Sequence, residues 1–268
     1  MESGALRLLY GTRMGRAALK ALIHPRLSRM AGRYLDSRHS RWLIAPFVKR
    51  CGLDLTEYEP TEYGSFNAFF VRQKRSEYLR PDMDPEHLVS PCDGFLSAYE
   101  IGADCRYTIK GIDYSLAGLL ADSALAKRFR GGRCLIFRLT PQNYHRYWYI
   151  DSGIREKPVV LPGVLHCVRP IACERYPVYA QNSREYVLIH TENFGDIIQM
   201  EVGALLVGRI RNHPNGPEVC RGEEKGYFEF GGSTIVLLFE RGRIALDAPM
   251  RTDIEMPVRA GERIGTRA

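Results

Sequence analysis

The sequence predicts an α+β protein with a mainly antiparallel β body, barrel-like or sandwich-like, that follows a set of N-terminal amphipathic helices. Short runs rich in β-branched and aromatic residues fill the C-terminal two thirds, and Gly and Pro separate them at intervals suited to antiparallel connections. Helical periodicity is largely confined to the N-terminal third. With 268 residues, 45% apolar and 26% charged, the chain is long enough to bury a core, which excludes a disordered protein.

The N-terminal helices are predicted to be basic and amphipathic. A helix after Pro25 has one apolar face, formed by Leu27, Met30, Ala31, Tyr34 and Leu35. Its basic side carries Arg26, Arg29 and Arg33. An earlier helix is expected to end near His24, because Pro25 disfavours helical geometry in the residue before it. A third helical piece, Trp42 to Cys51, is expected to end at Gly52.

Beyond these helices the chain is predicted to consist mainly of strands. A short helix, Phe66 to Val71, has Ser65 as its N-cap, and one further helix is predicted at about Ser115 to Phe129. The predicted strands are Phe95 to Ile101, Arg133 to Leu139, Glu185 to Thr191, Asp196 to Val202, Leu205 to Ile210, Tyr227 to Phe230 and Thr234 to Phe239. This order divides the chain into a basic helical segment, 1–64, and a β-rich domain, 65–268.

Positive charge is concentrated at one end of the chain. Residues 1–50 contain eleven Lys and Arg against two acidic residues, a net charge of +9, so residues 51–268 carry −2 of the total of +7. The partner of the basic end is therefore expected to be anionic. Three interpretations stay open at this point: an anionic lipid surface, nucleic acid, or arginines that are merely solvated on helices packed against the protein.

Targeting and cysteine patterns predict a cytosolic protein without a structural metal or disulfides. The longest stretch that lacks Asp, Glu, Lys and Arg is 158–168, far short of the roughly 20 residues of a membrane-spanning helix. Basic residues interrupt the apolar positions near the N-terminus, so no cleavable secretion signal is expected. Seven cysteines without a Cys-x-x-Cys pair disfavour both zinc and a disulfide framework.

The segment Gly231-Gly232-Ser233-Thr234 lies between two β-prone runs and has two interpretations. The simpler one is a Gly-Gly hairpin turn. Alternatively, the absence of side chains on the glycines lets the Ser233 hydroxyl approach the preceding carbonyl, so that Ser233 attacks its own peptide bond. Elimination from the resulting ester would break the chain after Gly232 and leave a dehydroalanine, which loses ammonia to become an N-terminal pyruvoyl group.

A histidine and an aspartate are candidate partners of this serine. His145 lies in an aromatic-rich stretch, where an interior histidine is the simpler interpretation, and Asp93 lies at a turn that leads into a strand. A Ser, a His and an Asp are the groups needed to deprotonate a hydroxyl and orient the base, whatever fold supplies them. This composition permits such chemistry without deciding it.

An ordered series of short motifs runs from about Ser65 to the C-terminus, at 66–72, 90–94, 110–116, 144–146, 161–163, 182–185, 202–208, 225–228 and 231–234. Among them are Ser90-Pro91-Cys92-Asp93-Gly94, Tyr144-His145-Arg146 and Gly231-Gly232-Ser233-Thr234. Through this series the chain resembles the phosphatidylserine decarboxylase family. Each motif is short, but their order along the chain is specific.

The resemblance implies a proenzyme that cleaves itself between Gly232 and Ser233. The products would be a β chain, 1–232, and an α chain, 233–268, which stay together as a heterodimer with the option of further dimerisation. Ser233 would become the pyruvoyl cofactor, and neither pyridoxal phosphate nor a metal would be needed. The family's motifs assign self-cleavage to Asp93 and decarboxylation to His145.

The same resemblance implies the chemistry of turnover. The amine of phosphatidylserine would form a Schiff base with the ketone derived from Ser233, and CO2 would leave. His145 would then protonate the α-carbon, a general-acid role that suits an imidazole with a pKa near neutrality. Hydrolysis would release phosphatidylethanolamine.

Two departures from the family pattern stand out. Gly231 replaces the leucine of the usual Leu-Gly-Ser-Thr, which should loosen the turn but leaves the Gly-Ser bond intact. Many members have a second histidine three residues after the first, to which activation of the serine is assigned, and this position is Trp148. Three explanations are open for the missing second histidine, given in order of preference. Either His145 serves both steps, or His166 comes close in space, or maturation is impaired.

The predicted function is therefore conversion of phosphatidylserine to phosphatidylethanolamine and CO2 at the cytoplasmic face of the cell membrane, where the enzyme is peripheral. Arg26, Arg29 and Arg33 would contact anionic phospholipid, and nucleic acid is not expected as a partner. Two alternatives remain. One is a pyruvoyl-dependent decarboxylase of a soluble amino acid, and the other is a lipid-binding relative that never matures.

Overall fold

The computed structural model describes residues 4–22, 25–109, 111–168, 170–174, 176–204, 209–231, 233–247 and 255–268. The α-helices in this part of the chain are α1 (Gly4–Gly11), α2 (Arg13–Leu22), α3 (Pro25–Asp36), α4 (Ile44–Cys51), α5 (Phe66–Phe70), α6 (Leu116–Leu120), α7 (Ser123–Arg128), α8 (Pro170–Cys173) and α9 (Val178–Gln181). The strands are β1 (His87–Val89), β2 (Gly94–Glu100), β3 (Arg106–Ile109), β4 (Ile112–Ser115), β5 (Arg133–Leu139), β6 (Arg146–Trp148), β7 (Gly153–Arg155), β8 (Val159–Leu161), β9 (Arg184–Thr191), β10 (Asp196–Gly203), β11 (Ile210–Asn212), β12 (Glu218–Val219), β13 (Glu224–Phe228), β14 (Ser233–Phe239), β15 (Ile244–Leu246), β16 (Met256–Val258) and β17 (Arg263–Arg267).

Local capping explains where several helices begin and end. The Ser65 hydroxyl accepts a hydrogen bond from the backbone N–H of Ala68 at the start of α5, as predicted. Helix α4 ends at Gly52, whose φ of 61° is left-handed, which also confirms the prediction. Two other predictions, a helix end near His24 and most of a strand from Leu205 to Ile210, fall outside the described residues.

One helix predicted from the sequence is divided in the structure. A single helix over Ser115 to Phe129 is wrong, because α6 ends at Ala121, which has a φ of 54°, and α7 begins after Asp122. The Asp122 carboxylate accepts hydrogen bonds from two backbone N–H groups of α7. An Asp side chain that caps the backbone in this way favours a new helix start over continuation of the old helix.

The strands form antiparallel sheets, which confirms the predicted fold class in its sandwich-like form. The described strands of the large sheet follow the order β12-β7-β9-β10-β14-β5-β2-β16, with β8 also paired to β9. A second sheet, β11-β13-β6, packs on one face of it, and β1-β17-β15 and β3-β4 form smaller sheets. Among the described strands no barrel closes, because the two ends of the large sheet do not pair.

Alternation along β14 divides the protein interior into two cores. Val236 and Leu238 face a core that includes α6 and the chain around His166, and Ile235 and Leu237 face the second sheet. We call the space between the large sheet and β11-β13-β6 the intersheet core. All seven side chains of β14 are buried, so this strand lies at the centre of the molecule.

The N-terminal helices pack against the start of the β-rich part through aromatic residues. Leu35 of α3 and Phe47 of α4 belong to one buried cluster with Phe66, Phe69 and Phe70 of α5. The apolar face predicted for α3 is divided, because Leu35 is buried whereas Met30 and Tyr34 are 65% and 46% exposed. The helices of the described part are all too short or too polar to span a bilayer. The division at residue 64 stays a prediction.

Candidate active site

Ser233 begins the central strand of the large sheet. It lies opposite Gly203 of β10 on one side and opposite Leu139 of β5 on the other. The side chain is fully buried, and its hydroxyl finds no hydrogen-bond partner among the described residues. An unpartnered buried hydroxyl is costly in a structural position, so this group is a candidate for chemistry.

The segment before Ser233 is not a hairpin turn. Strand β13 pairs with β6 and β11, and β14 pairs with β10 and β5, so the chain crosses from one sheet to the other between Phe228 and Ser233. Gly231 has a φ of 148°, a conformation that L side chains rarely adopt. Gly232 lies outside the described residues. The hairpin interpretation of Gly231-Gly232 is therefore wrong.

His145 lies on a second crossing segment that runs beside the first. Residues 140–145 connect β5 to β6, the partners of β14 and β13. Where the two segments meet the large sheet, Ser233 lies opposite Leu139. Where they meet the second sheet, the Phe228 N–H donates to the His145 carbonyl at 2.9 Å. Tyr147 and Phe228 face the intersheet core, so continued alternation from β6 would direct His145 to the same side as Ser233, and the His145 ring packs against Phe70.

The imidazole of His145 is buried, neutral and open at one nitrogen. Its Nδ1 lies 2.8 Å from the Asn143 carbonyl, which can only accept, so Nδ1 carries the proton. The pKa of His145 is lowered to about 3, mainly by burial; the hydrogen bond to the Asn143 carbonyl opposes this shift, and the Arg72 charge adds to it. Nε2 has no partner among the described residues, and it therefore presents a lone pair. The expectation of a pKa near neutrality is wrong for this state, because the ring is shielded from water by neighbours such as Phe70, 4.2 Å away between ring centroids.

Asp93 lies at the same end of the large sheet but does not contact the His145 ring. It precedes β2, whose first residue lies so close to β5 that a Cβ on Gly94 would be 2.9 Å from the Arg138 carbonyl oxygen. The Asp93 carboxylate accepts from the backbone N–H of Tyr144 at 3.4 Å and of Ala260 at 2.9 Å. It therefore holds the backbone next to His145, and its tie to the imidazole is indirect.

No pattern in the sequence indicated the residue that balances the Asp93 charge. Lys74 lies 3.3 Å from Asp93 and 3.6 Å from Glu57, and its side chain is only 12% exposed. These three side chains line a cavity of about 440 Å³ together with Tyr144 and Arg259. Lys74 and Asp93 are 19 residues apart in the chain, so no local sequence pattern predicts that their side chains meet.

Trp148 and His166, the two residues considered in connection with the missing second histidine, lie apart from Ser233. Trp148 is buried on β6, and because it is three residues after His145 it faces away from the intersheet core, against Gly261. The ring of His166 stacks on Tyr176 at 4.7 Å and approaches Tyr10, in the core on the opposite face of the large sheet. Burial lowers the pKa of His166. Of the candidates, His145 is the one that alternation places on the same side as Ser233.

The candidate lipid surface is described in part. Arg33 is exposed on α3. Arg26 and Arg29 are on the same helix, but their side chains lie outside the described residues. Trp42 is 66% exposed, and its indole N–H donates to the Tyr34 hydroxyl at 3.0 Å. An exposed aromatic pair therefore lies beside exposed positive charge.

Comparison with known proteins agrees with this arrangement. A family model described as phosphatidylserine decarboxylase matches residues 66–266, three quarters of the chain. The chain belongs to the phosphatidylserine decarboxylase family. It is 43% identical, over 98% of its length and 92% of the relative, to phosphatidylserine decarboxylase proenzyme 2 of Clostridium acetobutylicum. It is 38% and 39% identical to phosphatidylserine decarboxylase proenzymes of Clostridium novyi and Desulfitobacterium hafniense, over 98% of the chain and 92% and 91% of the relatives.

Membership of the phosphatidylserine decarboxylase family makes the protein an enzyme of the carboxy-lyase class. The relatives are named as proenzymes, and the family match includes both crossing segments. Within the described ranges, no group of three or more His, Cys, Asp and Glu side chains is arranged to hold a metal ion.

Proposed function

We propose that this chain is a proenzyme that cleaves itself between Gly232 and Ser233 and then decarboxylates phosphatidylserine to phosphatidylethanolamine. One observation carries the proposal. The Ser233 hydroxyl and the His145 Nε2 are both buried without a hydrogen-bond partner among the described residues, and they belong to two adjacent crossing segments. A buried alcohol and a neutral imidazole are the pair required to generate an alkoxide-like nucleophile.

Self-cleavage can be written from these groups with every atom assigned. His145 Nε2 takes the hydroxyl proton, and the Ser233 oxygen attacks the carbonyl carbon of Gly232. His145 returns that proton to the Ser233 nitrogen as the C–N bond breaks and the C–O bond remains, which leaves an ester and a free amine. His145 Nε2, neutral again, takes the Ser233 α-proton as the carboxylate of Gly232 leaves, which gives dehydroalanine, and water converts this to a ketone and ammonia.

The residues around Ser233 fit a pyruvoyl group. The residue begins a fully paired strand, so a cofactor formed at its N-terminal end would be held by β10 and β5. When present, that group supplies an electrophilic ketone that takes up the electrons released with CO2. His145 has one open nitrogen, Nε2, so the atom that receives the Ser233 proton is also the atom that would deliver a proton to the substrate α-carbon.

The pairing of β14 supports a lasting association of the two proposed chains. In the 36-residue α chain, β14 lies between β10 and β5, and β16 and β17 pair with β2 and β1 of the larger chain. Separation would break strand pairing in two sheets and expose an entirely buried strand. We therefore infer that the mature form is a heterodimer of 1–232 and 233–268.

We infer further that the basic helices hold the enzyme at the cytoplasmic face of the cell membrane. The substrate is an anionic lipid, and each Lys or Arg near an anionic surface contributes about 1 kcal/mol of binding. The exposed Trp42 and Tyr34 are the residue types that favour the membrane–water interface. Exposed Arg33 lies next to Tyr34 in the chain, so charge and aromatic surface coincide.

Intact mass spectrometry together with a vesicle assay tests the function. The wild-type chain should yield two chains, of 232 and 36 residues, with the smaller one blocked to Edman degradation, and should release CO2 from phosphatidylserine vesicles. Ser233→Ala should stay whole and inactive. Thr234→Val is the matched control, because Thr234 is also buried with an unpartnered hydroxyl but faces the other core, and this variant should cleave normally.

Three results would overturn the proposal. One is a wild-type chain that stays a single species of 30.5 kDa. Another is a Ser233→Ala chain that is as active as the wild type. The third is decarboxylation of free serine or tryptophan with none on vesicles, which would indicate a soluble amino acid as the substrate.

A further inference from the structure

A buried polar cluster lies in the intersheet core, one layer below Ser233 and His145. Lys225 of β13 and Glu201 of β10 form an ion pair, and their side chains are 1% and 0% exposed. The Asn212 amide of β11 donates to Glu201 at 3.2 Å and to Glu185 at 2.8 Å. Its carbonyl oxygen accepts from Lys225 at 3.2 Å and from the Tyr147 hydroxyl at 3.0 Å.

The position of the cluster relates it to both reactive groups. Glu201 is two residues from Gly203, the partner of Ser233, and by alternation it faces the same side of the large sheet. Tyr147 of β6 is two residues after His145, which immediately precedes that strand, so alternation puts the two side chains on the same side. Two residues of extended strand correspond to about 7 Å, so on each sheet the cluster lies about 7 Å along the strand from the reactive group.

The cluster is a polar connection between the two sheets, next to the hydrogen bond that the Gln199 amide of β10 donates to the Trp148 carbonyl of β6 at 3.0 Å. Other neighbours are apolar, such as Ile235 and Phe228. Burial raises the pKa of Glu201, and a charge taken out of water costs several kcal/mol unless it is well paired. Apolar residues of similar volume would hold two sheets together at lower cost, so the ion pair is a poor device for stability alone.

We propose that the Lys225–Glu201 pair, bridged by Asn212, positions the sheet that carries His145 relative to the strand that begins with Ser233, and thereby sets the rate of self-cleavage. The proposal rests on the self-cleavage proposed above. The hydrogen bonds and ion pair described for Lys225 and Glu201 involve neither Ser233 nor His145, so both members are positioning residues. Their effect is geometric, because a misplacement of about 1 Å between reacting groups can cost a hundredfold in rate.

The key variant is the double substitution Lys225→Met with Glu201→Gln, which removes both charges and leaves no unpaired ion. In the uncleavable Ser233→Ala background, the double variant should have a melting temperature close to that of the Ser233→Ala protein alone. In the Ser233 chain, self-cleavage followed by pulse-chase should slow by about tenfold to a hundredfold. Full cleavage rate in this variant would overturn the proposal.

A second buried ion pair provides the matched control. Arg221 and Asp151 are 4% and 1% exposed and lie 3.5 Å apart, but Asp151 is six residues beyond His145, past the end of β6. Arg221→Met with Asp151→Asn should therefore leave the cleavage rate unchanged, whatever its effect on melting temperature. If both double variants slow cleavage in proportion to lost stability, the Lys225–Glu201 pair is merely structural.

Two further measurements keep the test decisive. Tyr147→Phe removes only the hydroxyl bonded to Asn212, should fold normally, and should slow cleavage by about threefold to tenfold. Hydroxylamine splits an ester but spares an amide. If positioning limits the attack by Ser233, slowed variants should accumulate precursor that still has the amide bond and therefore resists hydroxylamine. Hydroxylamine-sensitive chains would contradict this. If the wild-type chain itself is never cleaved, it is the proposed function that fails.

Discussion

Ser233 lies directly opposite Leu139, and strand pairing continues without interruption from this point along β14 and β5. The proposed cleavage site therefore lies at the boundary between a connecting segment and a paired strand. A break at this boundary leaves the strand pairing of β13 and β14 intact, and Glu229 and Phe230 keep their contacts with Arg211 and Asn67. The reactive bond is thus placed where its cleavage breaks no strand pairing.

The first prediction concerns the cleaved chains. They should co-elute in gel filtration and appear as one complex in native mass spectrometry, because β14 contributes seven buried residues between two neighbouring strands. They should separate only in denaturant. Loss of the 36-residue chain under native conditions would show that the strand pairing does not hold it.

The second prediction concerns Asp93. Asp93→Asn keeps the shape but removes the charge that faces Lys74 and weakens the acceptor for the Tyr144 N–H, so self-cleavage should slow by about tenfold or more. Glu57→Gln is the control, because Glu57 contacts the same Lys74 at 3.6 Å but not the segment of His145. Cleavage half-times from pulse-chase compare them, and equal effects of the two substitutions would argue against a role for Asp93 beyond charge balance.

The third prediction concerns the basic helices. Arg26, Arg29 and Arg33 changed together to Gln should weaken co-sedimentation of the Ser233→Ala chain with phosphatidylglycerol-containing liposomes by about a hundredfold, at about 1 kcal/mol for each of the three charges. A control that removes the same charge from the β-rich part, at exposed Arg106, Arg130 and Arg241, should bind almost as well as the parent. Equal binding by all three proteins would refute the assignment.

The local elements were predictable from the sequence, and their pairing was not. Ser65 and Gly52 mark helix ends by side-chain chemistry that acts over a few residues, and the strand Arg133 to Leu139 was predicted with its observed bounds. The Gly231-Gly232 segment resembled a hairpin because hairpins are the commonest connection between adjacent strands. That β13 and β14 belong to different sheets depends on contacts with β6 and β5, about 80 to 100 residues away, which no local pattern encodes.

The site was predictable residue by residue only through the resemblance to a family. Ser233, His145 and Asp93 are each ordinary in isolation, and their order with the surrounding motifs made them candidates. The motif at 225–228 includes Lys225, but no motif indicated its buried partner Glu201, because a lone Glu on a strand is typical of an exposed face. Nor did the motifs indicate that His145 would be neutral, since its pKa depends on burial by Phe70 and its neighbours.

The last prediction is a pH dependence that originates in His145. Burial lowers the pKa of the folded precursor's His145 to about 3, whereas the unfolded chain's histidine has a pKa of about 6.5. Below about pH 6.5 the unfolded state takes up a proton that the folded state does not bind, so this contribution to stability is complete above that pH and is lost as the pH falls toward 3. Comparing Ser233→Ala with Ser233→Ala/His145→Gln isolates it from the carboxylates. Between pH 7 and pH 5 the free energy of unfolding of the Ser233→Ala protein should fall by about 2 kcal/mol more than that of the double variant, measured by urea denaturation. Equal losses in the two proteins would mean that the imidazole is solvated in the folded precursor, and His145 would then lack the neutral, water-shielded state from which it is proposed to accept the Ser233 proton.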